Sequence, residues 1–231
     1  MMNIPTPYRV HMFDALTREL DRRGIDFHVY FMARTRHPRR WRIPDDQMAF
    51  NHSIALGIHP RHGSDVFHFN PGIPLALVKA PPTWLVLGGA WWMPTVVLSL
   101  LGTKRSVCKI LHSEANRYSM RFRSGSVAFA RRHVLDLADA FAVPGRIAQE
   151  TISEVCGANS RPFLQLPNLV DEQRFGSGVL ELRARRDALR EKYGVPRDTR
   201  VLLWCARLQE EDKGIQLFLK TVHDLVPDIA R

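Results

Sequence analysis

Cysteine is scarce in this chain. The three cysteines, Cys108, Cys156 and Cys205, lie far apart among 231 residues. This spacing excludes a disulfide framework and a CxxC metal site, and it favours a reducing compartment. Each cysteine has small or apolar neighbours in the sequence, which predicts buried, inert thiols.

Long uncharged stretches are almost absent as well, with one exception at residues 80–103. Its length alone makes this stretch a transmembrane candidate. Pro81, Pro82, Pro94 and the Gly88-Gly89 pair would each interrupt a spanning helix, however. We therefore predict a buried strand at 84–87, a glycine-rich turn and an apolar helix at 95–101. No secretory signal opens the chain, so the expected location is cytoplasmic.

Several catalytic signatures are missing. The sequence has no P-loop, no GxGxxG after a strand, no HExxH and no GxSxG, which excludes the common nucleotide-hydrolysing, zinc-protease and serine-hydrolase patterns. It has no Asp-x-Asp pair, so a metal-dependent sugar transferase is disfavoured. His59 and His62 flank Pro60, which prevents one helix from presenting both; surface histidines are expected there, not a metal site.

Helix and strand signals alternate along most of the sequence. This alternation predicts an α/β fold, a Rossmann-like parallel sheet with helices on both faces. Asn70 and Pro71 are expected as the cap and first turn of one helix. Helices are predicted at 8–23, 70–80, 95–101, 125–137 and 144–156, and strands at 27–31, 54–56, 84–87, 107–111, 140–143 and 162–166.

The last third has a different character. A charged helix is expected at 181–193, followed by a buried strand at 201–205 and an apolar helix at 214–226. These elements predict the beginning of a second α/β unit that is cut short. The expected domains are an N-terminal domain at 1–175, a linker with the charged helix at 176–198, and the start of a second domain at 199–231.

Loops that follow strands are the candidate ligand sites, because open parallel sheets bind ligands at the carboxyl ends of their strands. Four loops qualify: 88–94, 112–119, 144–146 and 207–214. In the last, Arg207 and Lys213 flank a helix start, which favours an anion site. The alternative is that they neutralise the three acids between them.

Four segments together resemble the retaining family-four glycosyltransferases, which have the GT-B fold. NIPTPYR (residues 3–9) resembles the loop after that family's first strand, and ADAFAV (138–143) its "ADAxxxxS" strand. PNLVDEQRF (167–175) is similar to the "PNGVDxxRF" signature. CARL (205–208) with Lys213-Gly214 resembles the "GRLxxxKG" donor-phosphate loop. The segments occur in the family's order along nearly the whole chain.

The resemblance implies a metal-independent glycosyltransferase without a cofactor, acting on a nucleotide diphosphate sugar donor and a glycan or lipid-linked acceptor. Arg207 and Lys213 would bind the donor diphosphate and stabilise it as the leaving group. His112 and Glu114 would be catalytic. Tyr8, Arg9, Gly88 and Gly89 would bind the acceptor. The resemblance also implies that the family's first strand is missing here and that its carboxylate pair would fall after Arg231. The alternative is a non-catalytic fragment that binds a glycan or a membrane surface.

Five arginines are concentrated near Trp41: Arg34, Arg36, Arg39, Arg40 and Arg42. They could contact an anionic membrane surface, which would make the protein peripheral on the cytoplasmic face, or form a solvated loop. Nucleic acid is the least favoured partner, since no nucleic-acid module fits the α/β pattern.

Overall fold

The computed structural model describes residues 1–36, 39, 42–63, 65–157, 161–206 and 213–229. The chain divides into two units, Met1–Glu172 and Gln173–Arg231. Among the described residues, no helix is both long enough and apolar enough to cross a membrane.

The first unit is built on parallel β-strands. Two of them, β1 (His28–Phe31) and β2 (Asn51–Ile54), pair in register from His28 opposite Asn51. Strands β3 (Arg61–His62) and β4 (Asp65–Val66) form a short antiparallel pair. A four-stranded parallel sheet has the order β5-β6-β7-β8. Its strands are β5 (Trp84–Gly88), β6 (Cys108–His112), β7 (Ala140–Val143) and β8 (Phe163–Gln165).

Residues 1–3 lie between β1 and β5 and hydrogen-bond to both. Met2 N–H donates to the Tyr30 carbonyl at 2.8 Å, and Met32 N–H donates to the Met2 carbonyl at 2.9 Å. On the other side, Gly88 N–H donates to the Met1 carbonyl at 2.8 Å. Both bonding patterns are those of parallel neighbours. The position at which the sequence suggested a missing strand is therefore occupied by this short stretch, which joins the two parallel sheets.

Helices cover the sheet on both faces, as predicted for a Rossmann-like α/β fold. Helix α1 (Pro7–Asp21) packs Val10 and Phe13 against β1 on one face. Four helices contribute to the core on the other face, around Leu87, Leu111 and Phe141. They are α2 (Gly72–Lys79), α3 (Pro94–Gly102), α4 (Gly125–Leu135) and α5 (Arg146–Cys156).

The long uncharged stretch folds as strand β5, a turn and helix α3, which confirms the prediction of two separate elements. Prolines and glycines end each element, so no continuous helix forms. The expected cap of α2 is corrected: Pro71 occupies the N-cap position, and the Asn70 side chain turns to other partners. A short 3₁₀ turn at Asp45–Gln47 precedes β2.

The second unit differs from the sequence prediction in two ways. The charged helix is two helices, α6 (Glu172–Ala184) and α7 (Arg186–Lys192), which are separated at Arg185. The buried strand predicted at 201–205 is wrong, because these residues form no strand and Leu203 is 82% exposed. A strand needs a hydrogen-bonding neighbour, and the described part of this unit contains none.

One prediction about thiols fails in the same stretch. Cys156 is buried, and burial raises the pKa of its thiol, but Cys205 is exposed. The final helix is α8 (Ile215–Ile229), whose Phe218 ring packs on Trp204 at 4.8 Å between centroids.

Candidate functional site

A small cleft lies at the carboxyl edge of the parallel sheet. It encloses about 20 Å³, enough for about one water molecule. Three segments that are far apart in the sequence meet there: the start of α1, the end of β6 and the loop after β8. The lining residues are Tyr8, Arg9, Met12, His112, Leu166, Pro167, Asn168 and Leu169.

The start of α1 positions Tyr8 and Arg9. Thr6 is extended at the N-cap position, and Pro7 follows as the first helical residue, where its missing N–H costs no hydrogen bond. Arg9 Nε donates to the Tyr8 hydroxyl at 2.9 Å, and Nη2 donates to Glu114 Oε1 at 3.1 Å. Arg9 Nη1 contacts the Met2 thioether at 3.2 Å. Contacts on all three nitrogens fix the guanidinium at the cleft.

His112 is the last residue of β6 and is almost completely buried. Its neighbours across the sheet are Gly88 on β5 and Ala142 on β7. Burial lowers the pKa of His112, and the Arg9 charge lowers it further, while Glu114 partly offsets both effects. The imidazole is therefore neutral near pH 7, so one ring nitrogen can donate a hydrogen bond and the other can accept one.

Glu114 completes the polar set two residues after His112. Its side chain is 48% exposed, and its ion pair with Arg9 joins two segments more than 100 residues apart. The paired charges and the neutral imidazole offer both donors and acceptors with little net charge. Such a set suits hydroxyl groups of a polyol better than it suits a highly charged anion.

Gly88 and Gly89 have a different position from the one expected. A Cβ at Gly88 would collide with the Met2 thioether, and a Cβ at Gly89 would come within 2.7 Å of Asn3 Oδ1. Gly89 also has a φ of 132°, a conformation that other residues rarely adopt. Neither glycine lines the cleft. Their small size instead allows residues 1–3 to pack closely against the end of β5.

Of the two cations expected at a donor-phosphate site, the structure describes Lys213. Lys213 is exposed and directly precedes Gly214 and helix α8, and Gly214 has a φ of 61°. Arg207 lies outside the described residues. The prediction of a phosphate site there stays a prediction.

The arginine cluster near residue 40 is partly neutralised. Arg34 forms a bidentate pair with Asp45, at 2.8 and 3.0 Å, and this pair lowers the pKa of the Asp45 carboxyl. Arg36 and Arg39 have interaction partners, and Arg42 is exposed. Arg40 and Trp41 lie outside the described residues.

His59 is paired with a histidine that the sequence analysis did not single out. His59 Nδ1 and His68 Nδ1 are 3.0 Å apart, and His68 is fully buried. Within the described ranges, no group of three or more His, Cys, Asp or Glu side chains is arranged to hold a metal ion.

Sequence reasoning also missed that the loop after β8 lines the cleft. Asn168 and its neighbours were noted only as part of a motif. Their position directly after a parallel strand is the signal that could have placed them at the carboxyl edge.

No protein-family model matches the chain, and no curated protein matches it at a significant level. The geometry of the cleft and the sequence motifs therefore carry the functional proposal.

Proposed function

We propose that this protein is a metal-independent retaining glycosyltransferase that moves a sugar from a nucleotide diphosphate sugar to a hydroxyl of a glycan or lipid-linked acceptor. The cleft at the carboxyl edge of the first unit is the acceptor side in this proposal. A cytoplasmic location, peripheral to the membrane, is part of the same proposal.

One observation carries the proposal. Two of the segments that resemble family-four glycosyltransferases, residues 3–9 and 167–175, both contribute to the cleft, together with His112. These segments are separated by more than 150 positions in the sequence, and nothing in their composition requires them to meet. Their convergence on one cleft, at the edge where α/β sheets bind ligands, favours a common role.

The cleft has room for about one water molecule, so in this proposal its polar groups would hydrogen-bond a single hydroxyl of the acceptor. In the proposed reaction, the bond between the sugar C1 and the diphosphate oxygen breaks, a bond from C1 to the acceptor oxygen forms, and the proton of the acceptor hydroxyl passes to the leaving diphosphate. Neutral His112 would hydrogen-bond a hydroxyl of the transferred sugar, and Glu114 would accept a hydrogen bond from the sugar or acceptor. Arg9 holds the Glu114 carboxylate in place through their 3.1 Å ion pair.

The second unit would supply the donor side. Lys213, before helix α8, would place a positive charge and free backbone N–H groups near the donor diphosphate, with Arg207 as its partner. Negative charge develops on the leaving diphosphate, so cations there would contribute most in the transition state.

The test is sugar transfer by the 231-residue chain. Radiolabelled nucleotide diphosphate sugars are supplied one at a time with a lipid extract and with soluble glycans as acceptors, and label in the product is counted. The proposal expects transfer with at least one donor. Acceptor binding without any transfer would instead assign a non-catalytic glycan-binding module, the second candidate.

A matched pair of variants ties the activity to the cleft. Arg9→Ala removes the guanidinium that holds Glu114, and it is expected to reduce transfer by about 10- to 100-fold through the loss of a charge-assisted hydrogen bond. Arg22→Ala removes an exposed arginine at the end of the same helix, which pairs with Glu19 and donates a hydrogen bond to the Arg18 carbonyl. Equal activity of the two variants would contradict a role for Arg9.

A further inference from the structure

The loop between β6 and α4, together with the exposed face of α4, forms a surface rich in arginine and aromatic side chains. We call it the arginine–aromatic surface. Tyr118, Phe122 and Phe129 are 80%, 67% and 66% exposed. The surface consists of Arg117, Tyr118, Arg121, Phe122, Arg123 and Phe129.

This part of the chain carries positive charge without compensation. Residues 115–135 contain five arginines and no aspartate or glutamate. Over the wider range 66–135 there is one carboxylate, Glu114, and it is paired with Arg9. Among the described residues, no carboxylate lies within 4.0 Å of Arg117, Arg121 or Arg123. The positive charge of the surface is therefore available to a negatively charged partner.

The loop has a defined shape, held by its own side chains. Asn116 Oδ1 accepts hydrogen bonds from the N–H groups of Tyr118, at 3.0 Å, and Ser119, at 3.1 Å. The Arg123 guanidinium donates to the Arg117 carbonyl and so closes the loop. These bonds keep the tip of the loop in one conformation.

A buried arginine anchors the loop to the body of the unit. Arg131 of α4 is 6% exposed, and it stacks on the Trp91 ring at 5.4 Å. Its Nη2 donates to the Arg121 carbonyl at 2.6 Å. Burial lowers the pKa of Arg131, because the guanidinium loses water. The cation–π contact and the carbonyl partly compensate for that loss. The anchor fixes the backbone immediately before Phe122.

Phe122 is held outward in an unusual backbone conformation. Its φ of 55° is the one positive value at a non-glycine residue in the described part of the chain. A bulky side chain in this region is strained, and such strain marks functional sites more often than ordinary loops. Here the strained residue presents a phenyl ring to solvent between two arginines.

We propose that the arginine–aromatic surface docks onto an anionic lipid bilayer. Arginine side chains would bind lipid phosphates at the headgroup level, while Phe122 and Phe129 would enter the boundary with the acyl chains. Tyr118 is amphipathic, as is typical of membrane interfaces. The three aromatic residues and the arginines supply the two signals, apolar insertion and charge, that stable interfacial binding needs.

A bilayer fits this surface better than a nucleic acid does. Nucleic-acid binding by aromatic residues depends on ring faces that are open to stacking bases. One face of Phe129 is already covered by His133, at 4.0 Å between centroids, and the Arg117 guanidinium lies 5.3 Å from the Tyr118 ring centre. The phenyl rings have no polar tip that could read a base, whereas a bilayer requires only that they leave water.

The loop begins at the carboxyl end of β6, beside the cleft. Docking through this surface would therefore bring the cleft close to the lipid headgroups, where a lipid-linked acceptor would be found. This consequence rests on the proposed function; the docking itself does not.

The experiment is flotation of the 231-residue chain with vesicles of phosphatidylcholine, with and without phosphatidylglycerol. The chain is expected to float with the anionic vesicles only. The triple variant R117Q/R121Q/R123Q is expected to bind about 100-fold more weakly, from the attraction of each arginine to an anionic surface. The double variant F122S/F129S keeps all charges and is expected to bind anionic vesicles about tenfold more weakly.

The matched control is R34Q/R39Q/R42Q, which removes the same charge from the other arginine cluster. It is expected to bind anionic vesicles like the unchanged chain. The variant Y118W adds a readout that does not depend on loss of vesicle binding. Its tryptophan fluorescence should be quenched by brominated lipid more strongly than that of the unchanged chain.

Three results would overturn the proposal. The first is an equal loss of vesicle binding in R117Q/R121Q/R123Q and R34Q/R39Q/R42Q, which would show that net charge alone accounts for the binding. The second is tighter binding of the chain to single-stranded RNA than to anionic vesicles, with RNA binding lost in the R117Q/R121Q/R123Q variant. The third is no additional quenching of Y118W.

Discussion

Asn70 is a buried polar residue of the first unit whose side chain hydrogen-bonds the backbone after two strands. Its replacement tests how much these hydrogen bonds contribute to stability. The side chain is fully buried. Nδ2 donates to the carbonyls of Met32 at 2.7 Å, Leu56 at 3.1 Å and Ala55 at 3.2 Å. These carbonyls follow β1 and β2, so one amide joins the ends of two strands. Thr95 Oγ1, at the start of α3, accepts a hydrogen bond from the Asn70 N–H at 2.8 Å.

The expected loss of unfolding free energy follows from the carbonyl groups that lose the Asn70 amide as their hydrogen-bond donor. An amide has two hydrogens, so Asn70→Ala leaves at least two buried carbonyl bonds unmade, at about 1–2 kcal/mol each. We expect Asn70→Ala to lower the free energy of unfolding by about 2–4 kcal/mol. Asn70→Asp keeps the shape but sets a carboxyl against three carbonyls, so at pH 7 it is expected to cost about 2–3 kcal/mol more than Asn70→Ala.

The two variants are also expected to differ in their pH dependence. Burial raises the pKa of the new carboxyl at position 70 in the folded state, so the folded state binds the proton more tightly than the unfolded state. Stability of Asn70→Asp then falls as pH rises above about 4, by up to about 1.4 kcal/mol per pH unit. The extra cost relative to Asn70→Ala is expected to shrink by about 2 kcal/mol between pH 7 and pH 5.

The assay is urea unfolding followed by circular dichroism at pH 7 and pH 5, with each variant compared with the unchanged chain at the same pH. Asn51→Asp is the control, because Asn51 is exposed at the start of β2; its effect should stay within about 0.5 kcal/mol. Equal stabilities of Asn70→Asp and Asn51→Asp would refute the role of Asn70 as a buried donor.

Two further predictions concern the same region. Burial lowers the pKa of His68 to about 4, so the unfolded state binds a proton at a higher pH than the folded state does. The free energy of unfolding is therefore expected to fall by about 3 kcal/mol as pH drops from about 6.5 to about 4. In His68→Leu, urea unfolding across this range should show a weaker dependence of stability on pH. Gly57→Ala would place a Cβ against Asn70 and 2.5 Å from the Phe69 carbonyl, and it is expected to destabilise by about 2–3 kcal/mol. Gly72→Ala, which meets nothing within 4 Å, should leave the thermal midpoint unchanged or slightly raised; similar midpoints in the two variants would contradict the clash at Gly57.

The sequence predicted the helices and the four-stranded sheet of the first unit, because these elements have clear apolar periodicity and clear stops. The strand predicted at 54–56 is Asn51–Ile54 in the structure, and the short β3–β4 pair was not predicted. The strand at Ala140–Val143 has the predicted bounds, since four small or apolar residues lie between Asp139 and Pro144. The uncharged stretch at 80–103 was divided correctly because its prolines and glycines interrupt any long helix.

Prediction failed where a structure depends on partners that are distant in the sequence. The apolar run at 201–205 has strand propensity, but no described strand of its unit pairs with it, so it forms no strand and stays largely exposed. Asn70 precedes a helix and fits a cap by local rules, yet its amide is taken by three carbonyls that follow two other strands. Local propensity carries no information about such contacts.

The sequence predicted some of the residues of the candidate site but not the contacts between them. His112 and Glu114 were placed correctly at the end of a strand, because β6 is a clear apolar run. The 3.1 Å pairing of Glu114 with Arg9 follows from the fold, since it brings the start of α1 to the end of β6. The packing of residues 1–3 against Gly88, the last residue of β5, and against Gly89 was not foreseen, because residues 1–3 gave no strand signal.

The most direct test of the account is sugar transfer by the unchanged chain and by His112→Ala, measured in parallel with His133→Ala. His112 lies in the cleft, whereas His133 lies on the exposed face of α4. The account predicts transfer by the unchanged chain and by His133→Ala, and a loss of about 100-fold or more in His112→Ala. Transfer that is unaffected by His112→Ala, or acceptor binding that does not involve the cleft, would contradict it.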